Sequence, residues 1–253
     1  MSAKAKVLAH IGCAGWSLRA EHQGQFPLGD SHLARYAGRF NAVEINSSFY
    51  RRHLPSTYQR WHDCVPATFL FSVKIPKAIT HQARLVSCDA LLRQFLHEVG
   101  HLRSKLGCLL VQLPPSLAFD AASAEKFFSD LRARTSCAIV CEPRHLTWQR
   151  TAAMALLEKY AVGLLQTDLE RAVTGPFAYY RLHGTPVMYT SSYSHTQIDG
   201  LASQILTRAT ARKLSWCIFD NTASGAATLN ALALSERLVL PQTASLQKLG
   251  IAA

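Results

Sequence analysis

What the chain lacks narrows its class before any motif is read. Its 253 residues contain no apolar run long enough to cross a bilayer. They contain no low-complexity tract and no short internal repeat. Neither GxGxxG nor a P-loop occurs, so the usual signatures of a dinucleotide or nucleotide phosphate site are missing. None of the seven cysteines, an odd number, forms a CxxC pair. That argues against a zinc ribbon or a thioredoxin-like site and favours reduced, buried thiols in a cytoplasmic protein. Acidic residues are scarce: 16 Asp plus Glu stand against 27 Lys plus Arg, a formal charge of +11. This balance favours acidic partners. The basic residues are spread along the chain, with Arg51-Arg52 their densest point, so a nucleic-acid tail is not favoured.

What is present is a repeating alternation. About half the residues, 49%, are apolar and 17% are charged, enough for a large core. The opening MSAKAKVLAHIGCAGW reads as a short basic lead into a first strand, because its apolar part is brief and interrupted by His10 and Gly12. Strand-length apolar runs follow at 7–13, 42–46, 69–74, 108–114, 138–144, 162–168, 179–184 and 215–221. Helical patterns lie between most of them, at 30–40, 55–63, 88–105, 120–133, 147–160, 197–210 and 223–237. Asp30, Ser31 and Asp120 stand in N-cap positions. The 168–178 connection is short and carries Gly175-Pro176, so a full helix is not expected after the sixth strand. Eight strand–helix units in 253 residues predict a single α/β domain over 1–253, a TIM-type (β/α)8 barrel of parallel strands.

The strands place their polar residues unevenly. In AVEIN, Glu44 and Asn46 share a face opposite Val43 and Ile45; in FLFSVK, Ser72 and Lys74 oppose Phe71 and Val73. AIVCEPR aligns Val140, Glu142 and Arg144, and YYRLHG aligns Tyr179, Arg181 and His183. One face is apolar throughout, as packing on helices requires. The other turns polar only near the C-terminal end, as a barrel interior does at its functional mouth. The rim residues are Glu44, Asn46, Lys74, Gln112, Glu142, Arg144, His145, Asp168, Arg181, His183, Asp220 and Asn221, with Trp16 after the first strand. A lone Glu or Arg at a strand end usually does no more than neutralise a neighbour. So many charges on one rim favour a functional site. His97 and His101 have a metal-compatible i, i+4 spacing but no evident third ligand, and read as surface residues. Trp61 and Trp216 read as packing, and HGTPVMYTSSYSH, 183–195, as a loop able to cover a ligand.

IGCAGW, VEINSSFYR, FSVKIP with THQARL, LGCLLVQLPP, EPRHLTW, YYRLHG and FDNTASGAATLNA occur in one order over roughly residues 10–235. Together they resemble the domain-of-unknown-function family 72, also called YecE-like. The resemblance implies a TIM-type barrel and no particular reaction. It carries a shared set onto Trp16, Glu44, Asn46, Phe49, Tyr50, Lys74, His81, Gln112, Glu142, Arg144, His145, Trp148, Asp168, Arg181, His183, Gly184 and Asn221. The chain departs from the family pattern at Asp220, at Thr147 and by the missing tyrosine between Phe26 and Pro27.

The chemistry that suits such a rim is acid/base catalysis on a small phosphorylated or carboxylated molecule. Lys74, Arg144 and Arg181 are the expected anion holders. Glu142 is the favoured general base, with His183, Glu44 and Asp168 as further catalytic candidates. Asn46, Gln112, Trp16, Tyr50, His145 and Asn221 complete the expected binding set. No redox cofactor is expected. One alternative places Mg²⁺ or Mn²⁺ among Glu44, Glu142, Asp168 and His183, although three cations on the same rim oppose it. Another is a non-catalytic module for nucleic acid or anions.

Overall fold

A computed structural model describes residues 8–167, 169, 173 and 177–239. Among the described residues there are eight parallel strands, β1 (His10–Cys13), β2 (Ala42–Ile45), β3 (Leu70–Lys74), β4 (Leu106–Gln112), β5 (Ala138–Glu142), β6 (Val162–Gln166), β7 (Phe177–Leu182) and β8 (Leu214–Phe219), of which β2 to β8 pair in chain order. β1 returns to pair with β8. Seven α-helices of the described residues alternate with them: α1 (His32–Ala37), α2 (Pro55–Asp63), α3 (Asp89–Val99), α4 (Ala121–Arg134), α5 (Thr151–Lys159), α6 (His195–Thr210) and α7 (Ala226–Val239). The arrangement is the α/β barrel expected from the alternation. The connection after β6, where a missing helix is expected, lies almost wholly outside the described residues.

Closure between β1 and β2 is made by side chains. Only one bridge, Ala14 to Glu44, joins their backbones. Asn41 supplies the rest: its Oδ1 accepts from Ile11 N at 2.8 Å and its Nδ2 donates to Ala9 O at 2.9 Å. The buried Tyr36 hydroxyl accepts from Cys13 N at 2.7 Å and donates to Ala42 O at 3.1 Å. One amide and one phenol thus satisfy backbone groups that a ladder would otherwise pair. Gly12 permits the close approach, since a Cβ there would stand 1.9 Å from Ala42 O.

The two strand faces bury different cores. The outer face, with Val43, Ile45, Phe71, Val73, Leu109, Val111 and Ile139, packs under the helices. The interior is filled by Ala42, Cys108, Leu110, Val140, Tyr179, Trp216 and Ile218. Tyr179 and Trp216 stack at 5.9 Å, plugging the barrel. Gly107 leaves room for the indole, because a Cβ at 107 would lie 2.7 Å from the ring. A packed interior of this kind leaves polar residues only the upper end.

Helix starts follow local chemistry. Ser31 Oγ accepts from Ala34 N at 3.1 Å, Asp120 Oδ1 from Ser123 N at 2.9 Å, and Ser194 with Gln197 forms a capping box at α6. The helical stretch 88–105 is α3 followed by a 3-10 segment, Gly100–Lys105. Among the described residues no helix is long and apolar enough to cross a membrane.

One buried group makes the fold sensitive to acid. His10, paired in register with Trp216, is 8% exposed, packs 4.8 Å from the indole and has no partner for Nδ1. Burial pushes its pKa down from 6.5 to about 4. Between those values the unfolded chain binds a proton that the folded chain does not. Stability therefore falls as pH falls through that window, by up to about 3 kcal/mol. Denaturant unfolding at pH 7 and pH 4 should show His10→Phe losing about that much less than the parent protein; equal losses would refute the assignment.

Candidate functional site

The mouth is organised around the end of β5. Pro143 has no N–H, so the ladder stops at Glu142. Glu142 and Arg144 then both face the mouth. Glu142 Oε1 accepts from Arg144 Nε at 3.0 Å and Nη2 at 2.8 Å, and from Gln112 Nε2 at 3.1 Å. Its other oxygen, Oε2, is buried without a hydrogen-bond partner. Beyond Arg144 the chain enters a 3-10 turn, Leu146–Gln149. His145 caps that turn, its Nδ1 accepting from Thr147 N at 3.2 Å. Thr147 Oγ1 in turn accepts from Phe119 N at 2.7 Å. The backbone at His145 is extended, as suits an N-cap.

Arg181, on β7, crosses the barrel beneath this pair and is 2% exposed. Its Nε lies 3.1 Å from both Glu44 oxygens and its Nη2 donates to Glu44 Oε1 at 2.8 Å. Its Nη1 reaches Asp220 Oδ2 at 3.0 Å and stands 3.9 Å from Glu142 Oε2. Burial works against the guanidinium charge, but Glu44 and Asp220 more than offset it and hold its pKa above the ordinary arginine value. Tyr179 donates to Glu44 Oε2 at 3.0 Å and lies 2.8 Å from Ser72 Oγ. His183 Nδ1 donates to Asp220 Oδ2 at 2.9 Å, and its Nε2 is 3.9 Å from Glu142 Oε1.

Above these ion pairs opens a cavity of about 410 Å³ lined by Asn46, Phe49, Tyr50, Lys74, His81, Gln112, Arg144, Arg181, Tyr189, Asp220 and Thr222. Lys74, 4% exposed, points its ammonium at the Phe49 ring, 4.1 Å from the centroid. Among the described residues it has neither a carboxylate at ion-pair distance nor a hydrogen-bond acceptor. Burial first, and Arg181 second, lower its pKa from 10.5 to about 8 against the opposing pull of Glu44, Glu142 and Asp220. His81, edge-on to Phe49 at 4.9 Å, is lowered by burial and then by Lys74 and Arg144. Asn46 Oδ1 is a second buried atom without a partner.

Six expected residues line this cavity: Asn46, Tyr50, Lys74, Gln112, Arg144 and Arg181. Glu142 holds two of them in place, and Glu44 lies fully buried beneath Arg181. His183 lines a second cavity, about 320 Å³, with Thr167, Gly184, Tyr193 and Gln197 among its walls. Trp16 packs edge-on against Trp61 at 5.0 Å, and His145 serves as a cap; neither is in the cavity wall. Asn221 Nδ2 ties Ser191 O and Asn230 Oδ1, each at 2.9 Å, and so fixes the 183–195 loop, from which Tyr189 contributes to the wall. Asp168 lies outside the described residues. Asp220, a rim residue in the sequence, also belongs to the wall, as do Phe49 and His81, marked only by the family resemblance, Tyr189 from the 183–195 loop, and Thr222, which no sequence pattern marks. Asp220 ends β8 as the other rim residues end theirs. The rest sit on connections, where no periodicity marks a facing side.

The described carboxylates Glu44 and Asp220 are committed to other partners rather than set to hold a divalent cation. Both Glu44 oxygens are engaged by Arg181 and Tyr179, and Asp220 Oδ2 is shared by Arg181 and His183. Among the described residues no three His, Cys, Asp or Glu side chains gather as metal ligands. His97 and His101 meet edge-on at 5.5 Å, with His101 Nδ1 lying 3.1 Å from His97 O.

A family model described as "Protein of unknown function DUF72" matches residues 10–250. The chain is similar to UPF0759 protein YecE of Escherichia coli K12, 36% identical over 107 residues, 42% of this chain and 38% of that protein. It is similar to UPF0759 protein YunF of Bacillus subtilis 168, 29% identical over 117 residues, 43% of this chain and 40% of that protein. The matched stretch thus spans less than half the length of these curated relatives. Two crystal structures share the fold. A DUF72 family protein of Enterococcus faecalis V583 superposes with a TM-score of 0.75 at 20% identity, covering 92% of this chain and 96% of that one. A DUF72 family protein of Thermotoga maritima MSB8 gives 0.74 at 22% identity, covering 91% and 99%.

The two glutamates of the mouth should behave differently when neutralised. Glu44→Gln strips a buried guanidinium of its two-nitrogen partner, leaving Asp220 at 3.0 Å and Glu142 Oε2 at 3.9 Å, and should cost about 3–5 kcal/mol in urea unfolding. Glu142→Gln loosens Arg144, whose side chain is 35% exposed and can be hydrated, and should cost no more than about 1–2 kcal/mol. Equal, large losses would make Glu142 a structural ion-pair partner only.

Proposed function

The chain belongs to the DUF72 family, and we propose that its barrel mouth binds a small carboxylated or phosphorylated molecule and acts on it by proton transfer. The observation that carries this reading is the Lys74 ammonium, in the wall of a ligand-sized cavity and without a paired anion among the described residues. A buried charge without a counter-charge is costly, and an incoming oxyanion would relieve it. Arg144 adds a half-buried guanidinium beside it. Glu142 is the proposed base. Arg144 and Gln112 fix its Oε1, which leaves Oε2 as the oxygen free to take a proton. His183, oriented by Asp220, stands next to Glu142 as the group to return one. No step of this reading requires a redox cofactor or a metal. The seven free cysteines suit a reducing compartment, and a cytoplasmic location is part of the proposal.

Sulfate tests the site, because its charge does not change over the relevant pH range. Calorimetric titration should detect sulfate binding to the parent protein at pH 7 and none to Lys74→Met. The variant should melt no lower than the parent, since it removes an unpaired buried charge at similar volume. An anion favours the protonated amine, so affinity should hold below pH 8 and fall by up to tenfold per pH unit above it. Equal sulfate affinity in parent and variant, or a flat profile to pH 9.5, would remove Lys74 from the site.

A further inference from the structure

Among the described residues, both arginines at the floor of the mouth have carboxylate partners. Arg181 takes Glu44 and Asp220 and Arg144 takes Glu142, while His183 hydrogen-bonds to Asp220. Lys74 is left with an aromatic face. A lysine meant only to balance charge would be expected to sit on a carboxylate. Here the nearby charges include another cation, Arg181, and the side chain is largely withdrawn from solvent. A neighbouring cation and desolvation are the two conditions that turn a lysine from a counter-ion into a nucleophile.

We propose that Lys74 Nζ condenses with the carbonyl carbon of an aldehyde or ketone that also carries a carboxylate or phosphate, forming a Schiff base in the barrel mouth. The inference rests on the anion site proposed above and names the class of substrate it takes. The protonated amine and Arg144 draw the anionic molecule in; the neutral amine attacks. A pKa lowered from 10.5 to about 8 leaves more of the amine neutral at pH 7 than in an exposed lysine.

The step balances without an oxidant or reductant. The Nζ lone pair adds to the carbonyl carbon, and the C=O π pair moves onto oxygen, which takes a proton. The nitrogen lone pair then forms C=N as the oxygen leaves as water, and the two N–H hydrogens of the neutral amine are both accounted for in that water. Two groups at the mouth can carry these protons. Glu142 Oε2 has no hydrogen-bond partner, and His81, in the cavity wall, has its pKa lowered by burial and by Lys74 and Arg144, which keeps the ring neutral.

Glyoxylate, a two-carbon aldehyde with one carboxylate, is the probe. The parent protein is incubated with it and sodium cyanoborohydride at pH 7.5, and the reduced adducts are mapped by peptide mass spectrometry. Lys74 should be modified at least about tenfold faster than the exposed Lys77, Lys126 and Lys159. Propanal, which has no anionic group, should show a smaller preference for Lys74. Labelling of Lys74 at or below the rate of the exposed lysines overturns the proposal. Equal preference with propanal overturns its anionic part. Lys74→Arg keeps a cation but cannot form an imine, so it should retain sulfate binding while losing the adduct. Sulfate binding intact in the parent without Lys74 labelling would sink the Schiff base alone; Lys74 labelling without sulfate binding would sink the anion site alone.

Discussion

The ion pair between Arg181 and Glu44 is the contact on which the mouth depends. A guanidinium 2% exposed and a carboxylate 0% exposed lie in the barrel interior, above the Tyr179–Trp216 plug. Two buried charges of this kind do not stabilise a fold by themselves, because desolvation offsets most of their attraction. What they do is fix positions. Glu44 is engaged on both oxygens, by Arg181 and by Tyr179. Arg181 then has one nitrogen left to orient Asp220, and Asp220 orients His183. A side chain on β2 thereby determines the setting of a ring at the end of β7.

The same pair decides which groups remain available. Three described carboxylates reach the floor of the mouth, and two arginines and one histidine claim them. Geometry explains why the arginines prevail. Arg181 and Arg144 present planar forks that meet a carboxylate through two nitrogens at once, whereas an ammonium offers a point charge. Lys74 is level with Leu110 in the ladder, beside an apolar neighbour, and turns to Phe49.

How much of this could be read from the residues depends on whether they sit in strands. Glu44, Lys74, Glu142 and Arg181 lie within or at the end of runs whose period of two assigns them to the inner face, and the structure places all four at the mouth. The same reasoning could not separate the residues that touch the cavity from those that hold them. Glu44 and Lys74 share a strand-face pattern, yet one is held by Arg181 and Tyr179 while the other has no partner carboxylate among the described residues; that difference is set by contacts across the barrel, between β2 and β7. Apart from the 183–195 loop, whose Tyr189 reaches the wall, wall residues on connections were legible only through family likeness or not at all. Phe49 and His81 reach the wall from a 3-10 turn, Ser47–Phe49, and a π turn, Ala78–Gln82. Trp16 and His145 follow strand ends in sequence, but the local turn carries the first onto Trp61 and the second onto a helix start.

The matched charges give the mouth an uneven chemistry at nearly balanced charge. Lys74 is a cation without an anion, and Glu142 Oε2 is a carboxylate oxygen without a donor. Both belong to one cluster, in which Glu142 pulls on the titration of Lys74 and Arg181 lies between them in effect, 3.9 Å from Glu142 Oε2. A molecule with an anionic or electrophilic end and a proton to lose answers both deficits at once. A purely cationic one would meet Lys74, Arg144 and Arg181, and a purely apolar one would strand the unpaired groups without solvent. The interior plug, the buried pair and the side-chain seam between β1 and β2 hold this asymmetry in place. The fold can then maintain a lysine that is costly when the mouth is empty, because neighbouring positions are already committed to one another.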